Sequence, residues 1–507
     1  MKSGILAVSV LFCLAVIAYT GYTAVREYFP QKTETKEKET EISGILVRAS
    51  ENPGMFFDVR GYFEDDGNKA WIFLPETADA SKLVFYTTDS GGNLLDRHEY
   101  DFTIGALAVN GLTISVMESD IPSINLSIYD NYPSLDELES SSKHAVSTKA
   151  YFDMDDYEGN IVEGIVKMRG RGNTSWKEDK KSYQISFEKS TDLLGMGEAK
   201  KWILLANAGD YSLIRNEVFL SLAKDMGLDY TPELRQVNLF INGEYRGAYS
   251  LTEKVEVGKN RVEADSGDYL YRIGMDKDEY SFLLYENPYA EGEGNYKKLY
   301  GELRDSTDEE KIKRAKKYLI NAIEELYDSD SDLSLVDVDS LVRYYWLQEF
   351  SKNTDPTGRS VYLRWDASVK KIYMGPAWDF DRTAGIIEMP FLDEDYIWPD
   401  GWTARVRDYY TTLFKNKTFL SAIEDVYENG GVKEAFREAA DTVSERAEKM
   451  ECAAEMNFTR WNVLDEDESN KVSYAYEDNS WENQINWLED WLNMRCDWIE
   501  EEMEDGD

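Results

Sequence analysis

Apolar and polar residues alternate along the first half of the chain and follow a helical period along much of the second half. Between about Ile42 and Val116, short alternating segments such as KAWIFLP and KLVFYTTD are separated by Gly, Asp and Asn. Short strands at such regular spacing are typical of a small sandwich. The pattern therefore predicts an immunoglobulin-like all-β accessory module over residues 42–118, without a catalytic cluster.

A second β-rich block begins with INLSIYD (Ile124–Asp130) and continues to about Val255. One helical stretch, Asp210–Gly227, interrupts it and ends at a glycine. After Glu256 the pattern predicts mainly helices, and the C-terminal WENQINWLEDWLNMRCDWIEEEM carries a clear apolar stripe. The predicted fold class is therefore α+β, with a β-rich part followed by a helical part.

The stretch from Asp355 to Gly385 places acidic residues at both ends of a predicted β-hairpin. VYLRW and KKIYMG alternate as strands do, and the DASV between them is typical of a turn. An antiparallel hairpin brings the residue before its first strand close to the residue after its second. We therefore expect Asp355 to lie near Asp379 and Asp381. Converging carboxylates without histidine or cysteine suit hard cations such as Mg²⁺, which often share their oxygen ligands with phosphates.

The chain is strongly acidic, with 98 Asp and Glu against 56 Lys and Arg and a net charge of −42. Because this charge repels polyanions, nucleic acid is not an expected partner. The two histidines, His98 and His144, stand in no motif, which argues against serine–histidine–acid triads and histidine-ligated zinc sites. Cys13 lies near the N-terminus, while Cys452 and Cys496 form either one disulfide or two free thiols.

The N-terminus has the composition of a targeting segment. Lys2 precedes an apolar run that extends to about Tyr19, and small or apolar residues continue to Val25. Residues 1–25 are therefore predicted to be a signal sequence or a single membrane anchor. The charged residues 26–41 follow as a solvated tether. This arrangement favours a body outside the cytoplasm, in a protein that is secreted or anchored at the cell surface.

Several segments, taken in order, match the pattern of a known family. They are RGRGNTSW, LLGMGEAKKWILLANAGDYSLIRNEV, LFINGEYRGAYSLTEKV and GPAWDFDRTAG. In this order they resemble the spore coat protein H (CotH) kinase family, and the resemblance extends from about Ile121 to Asp497. It implies a protein-kinase-like two-lobed fold over residues 119–505, with a β-rich N-lobe (about 119–256) and a helical C-lobe (about 257–505). It also implies an atypical secretory kinase that uses ATP with Mg²⁺ or Mn²⁺.

The resemblance assigns roles to the residues around the hairpin. Asp355 corresponds to the catalytic-loop aspartate, which orients the acceptor hydroxyl and accepts its proton. Asp379 corresponds to the aspartate that holds Mg²⁺ against the phosphates, with Asp381 as second ligand or as support for the loop. Ser360 stands where a kinase has a metal-binding asparagine. Since serine is a weaker ligand, either Asp381 takes over the second-metal role, or one metal binds, or activity is lost.

The resemblance also assigns a nucleotide-binding set in the β-rich part. The Arg171-Gly172-Asn173 turn resembles a phosphate-covering loop, in which glycine permits close backbone approach and arginine supplies charge. Lys180 or Lys181 takes the position of the lysine that contacts the phosphates, with Lys180 favoured. Its acidic partner is either Glu217 or Glu253, and Glu253 fits the family pattern better.

Two functions are consistent with these features. The first is an ATP- and Mg²⁺-dependent kinase that phosphorylates Ser or Thr of surface or extracytoplasmic proteins. Its partners are ATP, a protein substrate and, through the N-terminal segment, a membrane. The second is a non-catalytic adhesion or assembly protein of the cell surface on a kinase-like scaffold. Asp355, Lys180 and Asp379 favour the enzyme, whereas Ser360 favours the scaffold.

Overall fold

The computed structural model of the protein describes residues 42–156, 159–172, 175–275, 277, 280–286, 297–386, 396–464 and 479–504. Its first strands form two small sheets with the orders β2-β1-β5-β6 and β3-β4-β8-β7. The strands are β1 (Gly44–Val47), β2 (Val59–Arg60), β3 (Tyr62–Phe63), β4 (Lys69–Leu74), β5 (Leu83–Thr88), β6 (Leu94–Tyr100), β7 (Leu107–Val109) and β8 (Leu112–Glu118). Apolar side chains of both sheets, such as Phe85 and Ile114, pack in one shared core.

The next seven strands close into a barrel. They are β9 (Ser123–Ile128), β10 (Ser147–Asp155), β11 (Ile161–Arg171), β12 (Ser182–Thr191), β13 (Ala199–Leu205), β14 (Leu234–Ile241) and β15 (Glu244–Glu253). Their order is β13-β12-β11-β10-β9-β14-β15, and β15 pairs back with β13. Closure satisfies both edges of the sheet. Side chains such as Phe152, Met168 and Trp202 form the barrel's core cluster.

Two helices accompany the barrel strands in sequence. Helix α1 (Leu135–Glu139) follows β9, and α2 (Arg215–Asp225) lies between β13 and β14. The small N-terminal sheets are continuous with the barrel, because β2 pairs with β15. Phe240 and Tyr245 of the barrel also enter the core of the N-terminal sheets. The N-terminal strands and the barrel therefore share packing as well as backbone hydrogen bonds.

The remaining chain combines one antiparallel sheet with most of the helices. Its strands are β16 (Tyr269–Gly274), β17 (Phe282–Glu286), β18 (Lys298–Leu303), β19 (Val361–Asp366) and β20 (Lys371–Met374), in the order β17-β18-β16-β19-β20. The helices are α3 (Glu309–Leu326), α4 (Val338–Phe350), α5 (Tyr410–Leu413), α6 (Lys417–Asn429), α7 (Val432–Asp441), α8 (Val443–Glu448), α9 (Glu451–Arg460) and α10 (Trp481–Glu504). The largest apolar cluster joins α2 to this part, with Phe219, Phe350, Phe436 and Leu488 among its members.

The fold class α+β is confirmed, but one part of the predicted layout is wrong. The chain does not turn mainly helical directly after Glu256, because β16–β18 precede α3. In β16, Tyr269, Tyr271 and Ile273 are buried, and Arg272 pairs with Glu302 of β18 at 3.1 Å. Alternating aromatic residues and cross-strand ion pairs stabilise strands. The β part is also a seven-stranded barrel, whose strand order does not by itself define a two-lobed kinase.

The predicted N-terminal segments, residues 1–25 and 26–41, lie outside the described residues, as does Cys13. Within the part of the chain that the structure describes, no helix is long and apolar enough to span a bilayer. Cys452 is exposed and Cys496 is buried, and both are free thiols. Of the two alternatives for this pair, the structure therefore shows unpaired cysteines.

Candidate active site

The predicted hairpin is present and connects two loops of the candidate site. Strands β19 and β20 pair antiparallel, with Leu363 opposite Met374. Gly375 N donates to Tyr362 O at 3.0 Å and extends the pairing beyond β20. The loop between α4 and β19 and the segment after β20 therefore meet at the same end of the hairpin.

A side-chain contact joins these two loops directly. Ser360 Oγ donates to Asp379 Oδ2 at 2.6 Å. Both residues have left-handed backbone conformations, with φ of 53° at Ser360 and 76° at Asp379. Non-glycine residues in this region cost about 1–3 kcal/mol each and cluster at functional sites. The Asp379 side chain is exposed, so it is accessible to a ligand.

Asp355 lies in the same loop as Ser360. Its Oδ2 accepts from Arg359 Nη1 at 3.2 Å, and its backbone N donates to Asn353 Oδ1 at 2.9 Å. Because Arg359 directly precedes Ser360, these two consecutive residues link Asp355 to Asp379. The structure thus brings the candidate catalytic aspartate and the candidate metal ligand to one loop junction.

Asp381 occupies a more enclosed position than Asp379. Burial is the main cause that raises the pKa of Asp381 to about 7, and the negative charges of Asp379 and Asp210 add to it, against the cation of Arg382. A carboxyl group in such surroundings gains stability as an anion when a cation arrives. The pair Asp379 and Asp381 therefore has the electrostatic character of a cation site.

Arg171 lies across from these carboxylates at the end of β11. Its guanidinium stacks over the Trp378 ring at 5.3 Å from the centroid. Burial lowers the pKa of Arg171, while the charges of Asp379 and Asp381 act in the opposite direction. The barrel therefore presents a cation to the segment that contains the two aspartates.

The next position, 172, requires a glycine. Its φ is 94°, and a Cβ there would approach Ser175 Oγ to 2.2 Å. His144, which the sequence placed in no motif, donates from Nε2 to Gly172 O at 2.5 Å. Asn173, the third residue of the predicted phosphate-covering turn, lies outside the described residues. The part of the turn that is described thus has the conformation expected of a glycine-dependent loop.

Helix α2 holds the segment after β20 by hydrogen bonds that the sequence did not reveal. Asn216 Oδ1 accepts from Phe380 N at 2.9 Å. Arg215 Nε donates to Thr383 O at 3.1 Å, and its Nη2 donates to Ala384 O at 3.3 Å. The backbone of the WDFD segment (residues 378–381) and of the residues that follow it is therefore fixed by the first turn of α2.

A buried ion pair positions Arg215. Arg215 Nη1 lies 2.7 Å from Asp210 Oδ1, and both side chains are fully buried. Asp210 also accepts from Arg215 N at 2.8 Å and from Ser212 N at 3.0 Å. Asp210 and Arg215 are two of several charged residues in the stretch Asp210–Gly227, so no pattern in the sequence singled out this pair.

The two candidate nucleotide lysines bind protein groups. Lys180 Nζ donates to Ala248 O and to Asn457 Oδ1, both at 2.6 Å, and burial lowers the pKa of Lys180 well below its usual range. Lys181 Nζ donates to Trp176 O at 3.0 Å and to Glu178 O at 2.5 Å. Lys180 therefore binds β15 and α9, and Lys181 binds backbone carbonyls between β11 and β12. A phosphate-binding role for either lysine stays a prediction.

The candidate acidic partner Glu253 is paired with an arginine. It accepts from Arg261 Nη1 and, at 2.8 Å, from Glu233 N. The alternative, Glu217, accepts from Arg446 Nη1 at 3.1 Å. Both glutamates therefore pair with arginines in these contacts. Neither contact forms the predicted pair with a lysine.

The oxygen donors of the site fit a magnesium ion that is shared with phosphates. Within the described ranges, no group of three or more His, Cys, Asp or Glu side chains is arranged to hold a metal. Mg²⁺ usually takes one or two carboxylates and completes its shell with water and phosphate oxygens. Asp379 and Asp381 provide that number of carboxylates, and the Ser360 hydroxyl adjoins Asp379.

Comparison with known proteins identifies the family of this chain. A family model described as CotH kinase protein matches residues 168–499, more than half of the chain. The match indicates a kinase-like protein. The chain belongs to the CotH kinase protein family. The matched range contains every candidate site residue and omits the N-terminal sheets. No curated protein gives a significant match.

Proposed function

We propose that this chain is an ATP- and Mg²⁺-dependent (or Mn²⁺-dependent) protein kinase that phosphorylates Ser or Thr of surface or extracytoplasmic proteins. The observation that carries the proposal is the Ser360–Asp379 hydrogen bond, which joins the loop of Asp355 to the WDFD segment. Family membership supports it. In this proposal the barrel acts as the N-lobe, and the sheet β16–β20 with its helices acts as the C-lobe.

The proposed nucleotide site lies between these two parts. An apolar cluster connects them, in which Ile203 and Val255 from the barrel side contact Tyr362 and Trp378 from the hairpin side. Leu205 and Val257 at the margin of the cluster are only partly buried. Such a margin suits a flat nucleobase, whose phosphates would then extend toward Arg171 and Asp379.

Each charged residue has a role in the proposed phosphoryl transfer. Asp379 and Asp381 would hold Mg²⁺ on the phosphates, and Arg171 would bind phosphate oxygens from the barrel side. The bound metal ion neutralises phosphate charge. Asp355, oriented by Arg359, would accept the proton of the acceptor hydroxyl as its oxygen bonds to the γ-phosphorus and the bond from that phosphorus to ADP breaks. We assign the phosphate contact to Arg171 because Lys180 would first have to leave Asn457.

The second candidate function is a non-catalytic adhesion or assembly protein of the cell surface. One feature favours it: Ser360 stands where a kinase catalytic loop has a metal-binding asparagine. Under either function we propose that residues 1–25 direct the chain out of the cytoplasm, as a signal sequence or an anchor. The net charge of −42 argues against nucleic acid as a partner in both cases.

Transfer of labelled phosphate distinguishes the two functions. The chain is incubated with labelled ATP and Mg²⁺ or Mn²⁺, alone and with an extract of surface proteins, and products are identified by intact mass. Label is expected with the wild type and not with Asp355→Ala. Asp425→Ala, which changes an exposed aspartate on α6, is the matched control and should retain transfer. Absence of label under every condition would favour the non-catalytic function.

A further inference from the structure

A cavity of about 230 Å³ lies behind α2, on the side away from the WDFD segment. Glu217, Leu220, Ser221 and Lys224 line it, and their spacing of three and four residues places them on one face of the helix. Phe219, which stacks on Phe380, lies on the opposite face. Asn216, which accepts from Phe380 N, lies between the two faces. The cavity and the candidate active site therefore share α2 as a common wall.

The remaining walls come from the barrel and from the end of the α8 region. Pro232, Leu234 and Met450 add apolar surface, which faces Leu220 across the cavity. Arg235 lies at the start of β14, and Arg446 and Lys449 lie in or after α8. The cavity thus has an apolar base and a polar rim.

Cations outnumber carboxylates in this rim. The lining cations are Lys224, Arg235, Arg446 and Lys449, and the lining carboxylates are Glu217 and Glu233. Glu445, which pairs with Lys449 at 2.7 Å, adds a third carboxylate beside the rim. The excess of positive charge is unusual for a molecule with a net charge of −42. A local excess of this kind concentrates anions at the cavity.

Both lining carboxylates are already held by cations. Glu233 contacts Lys224 at 3.0 Å and Arg235 at 2.9 Å. Glu217 contacts Arg446 at 3.1 Å. These bonds offset the negative charges that would otherwise repel an anion, and they orient the guanidinium groups of the rim.

Arg446 is the most strongly positioned of the cations. Besides Glu217, its guanidinium donates to Ser221 Oγ at 3.1 Å and to Thr442 Oγ1 at 3.3 Å. Lys449, one turn further, is largely exposed at the rim and pairs with Glu445 at 2.7 Å. A guanidinium can bind a phosphate through several donors, and an exposed ammonium beside it adds a point charge.

We propose that this cavity binds a phosphate group carried on an apolar stem. A phosphate monoester carries a charge of about −1.5 to −2 near neutral pH. The cations of the rim attract this charge, and the apolar base accommodates the stem. A phosphorylated side chain and a small organic phosphate share this chemistry. Since α2 also holds Phe380, ligand at the cavity would stabilise the position of α2 against the WDFD segment. The proposal stands whether or not the chain transfers phosphate.

The test measures binding to the full chain by calorimetry. The probes are phenyl phosphate, a short leucine-flanked phosphoserine peptide, and the same peptide without phosphate. We expect both phosphorylated probes to bind and the unphosphorylated peptide not to bind. Loss of one charge-assisted hydrogen bond in Arg446→Gln should raise Kd about tenfold. Lys449→Gln, at an exposed position where folding is not at risk, should raise it about threefold.

Lys433→Gln provides the matched control. Lys433 also pairs with a glutamate, Glu500 at 3.6 Å, but it lies on α7 and does not line the cavity. It should leave Kd unchanged. A phosphopeptide that binds more tightly than phenyl phosphate would identify a phosphorylated chain as the source, and the reverse order would identify a small organic phosphate. The proposal is overturned if no phosphorylated probe binds, or if Lys449→Gln and Arg446→Gln bind as the wild type does.

Discussion

Ser360 and Asp379 are joined by a 2.6 Å hydrogen bond although they are 19 residues apart in sequence. The contact closes the open end of the hairpin β19–β20, and both residues adopt left-handed backbone conformations to make it. A short polar bond between two strained residues indicates a geometry that the surrounding structure maintains. It also places a hydroxyl oxygen at the position for which the sequence predicted the metal-binding residue of a kinase catalytic loop.

Substitution of Ser360 tests the value of that oxygen. Ser360→Asn keeps an oxygen donor and tolerates positive φ, so phosphate transfer should stay within about threefold of the wild type. Ser360→Val removes the oxygen and puts a β-branched residue at positive φ, so transfer should fall at least about tenfold. Steady-state rates with Mg·ATP check both. Equal rates in the two variants would show that the oxygen has no role.

The sequence predicted the hairpin because its signals are local. The alternation of VYLRW and KKIYMG and the turn between them lie within fifteen residues, and the expectation that both acidic loops meet follows from antiparallel pairing. The apolar period of α3 and α10 was equally local, and Leu319, Ile323, Leu488 and Leu492 are buried.

The partners of the charged residues could not be predicted in the same way. Arg215 contacts Thr383 across 168 residues, and Lys180 contacts Asn457 across 277 residues. Side-chain hydrogen bonds to a distant carbonyl or amide leave no periodic pattern in the sequence. The closure of the barrel was missed for the same reason, since β13 and β15 pair across α2 and β14.

Arg215 is expected to be essential for stability as well as for the site. Arg215→Met leaves the fully buried Asp210 without its cation, which should cost about 3–5 kcal/mol in the free energy of unfolding. Denaturant unfolding measures this. Arg97→Met breaks an exposed pair with Glu99 and should cost less than about 1 kcal/mol. If Arg215→Met costs no more than this control, the buried pair does not hold α2.

Substitutions of Arg171 and of Lys180 should have different effects on nucleotide affinity. Arg171→Gln removes the cation that faces Asp379, and its Kd for Mg·ATP should rise about tenfold. Lys180→Met removes two buried hydrogen bonds, so it should lower the melting temperature while changing Kd less than Arg171→Gln does. A larger rise in Kd for Lys180→Met than for Arg171→Gln would indicate that Lys180, and not Arg171, binds the phosphates.

Stability is expected to fall as the pH rises through the weakly acidic range. Burial above all, with the charge of Asp155, raises the pKa of Glu76 to about 7, and burial raises the pKa of Asp153 and of Asp408 to about 6. Folded chains therefore hold more protons than unfolded chains between about pH 4 and pH 7, so the unfolding free energy decreases with pH across that window. Melting temperatures from pH 4 to pH 8 measure it.

Glu76→Gln should flatten that pH dependence and raise the melting temperature at pH 8. The exposed Glu99→Gln should leave the profile unchanged, because Glu99 is solvated in both states. If the melting temperature of Glu76→Gln still falls with pH as steeply as that of the wild type, the Glu76 carboxyl does not cause the pH dependence.

Titration of the full chain with Mg·ATP tests the central claim most directly, because it asks whether the loops joined by Ser360 and Asp379 form a metal–nucleotide site. The wild type should bind, and binding should disappear when Mg²⁺ is chelated. Asp379→Asn should lower the affinity at least about tenfold by removing a metal ligand, whereas Asp355→Asn should bind nearly as the wild type does while transferring no phosphate. Wild-type chain that binds no Mg·ATP or Mn·ATP, or Asp379→Asn that binds them with unchanged affinity, would contradict the account.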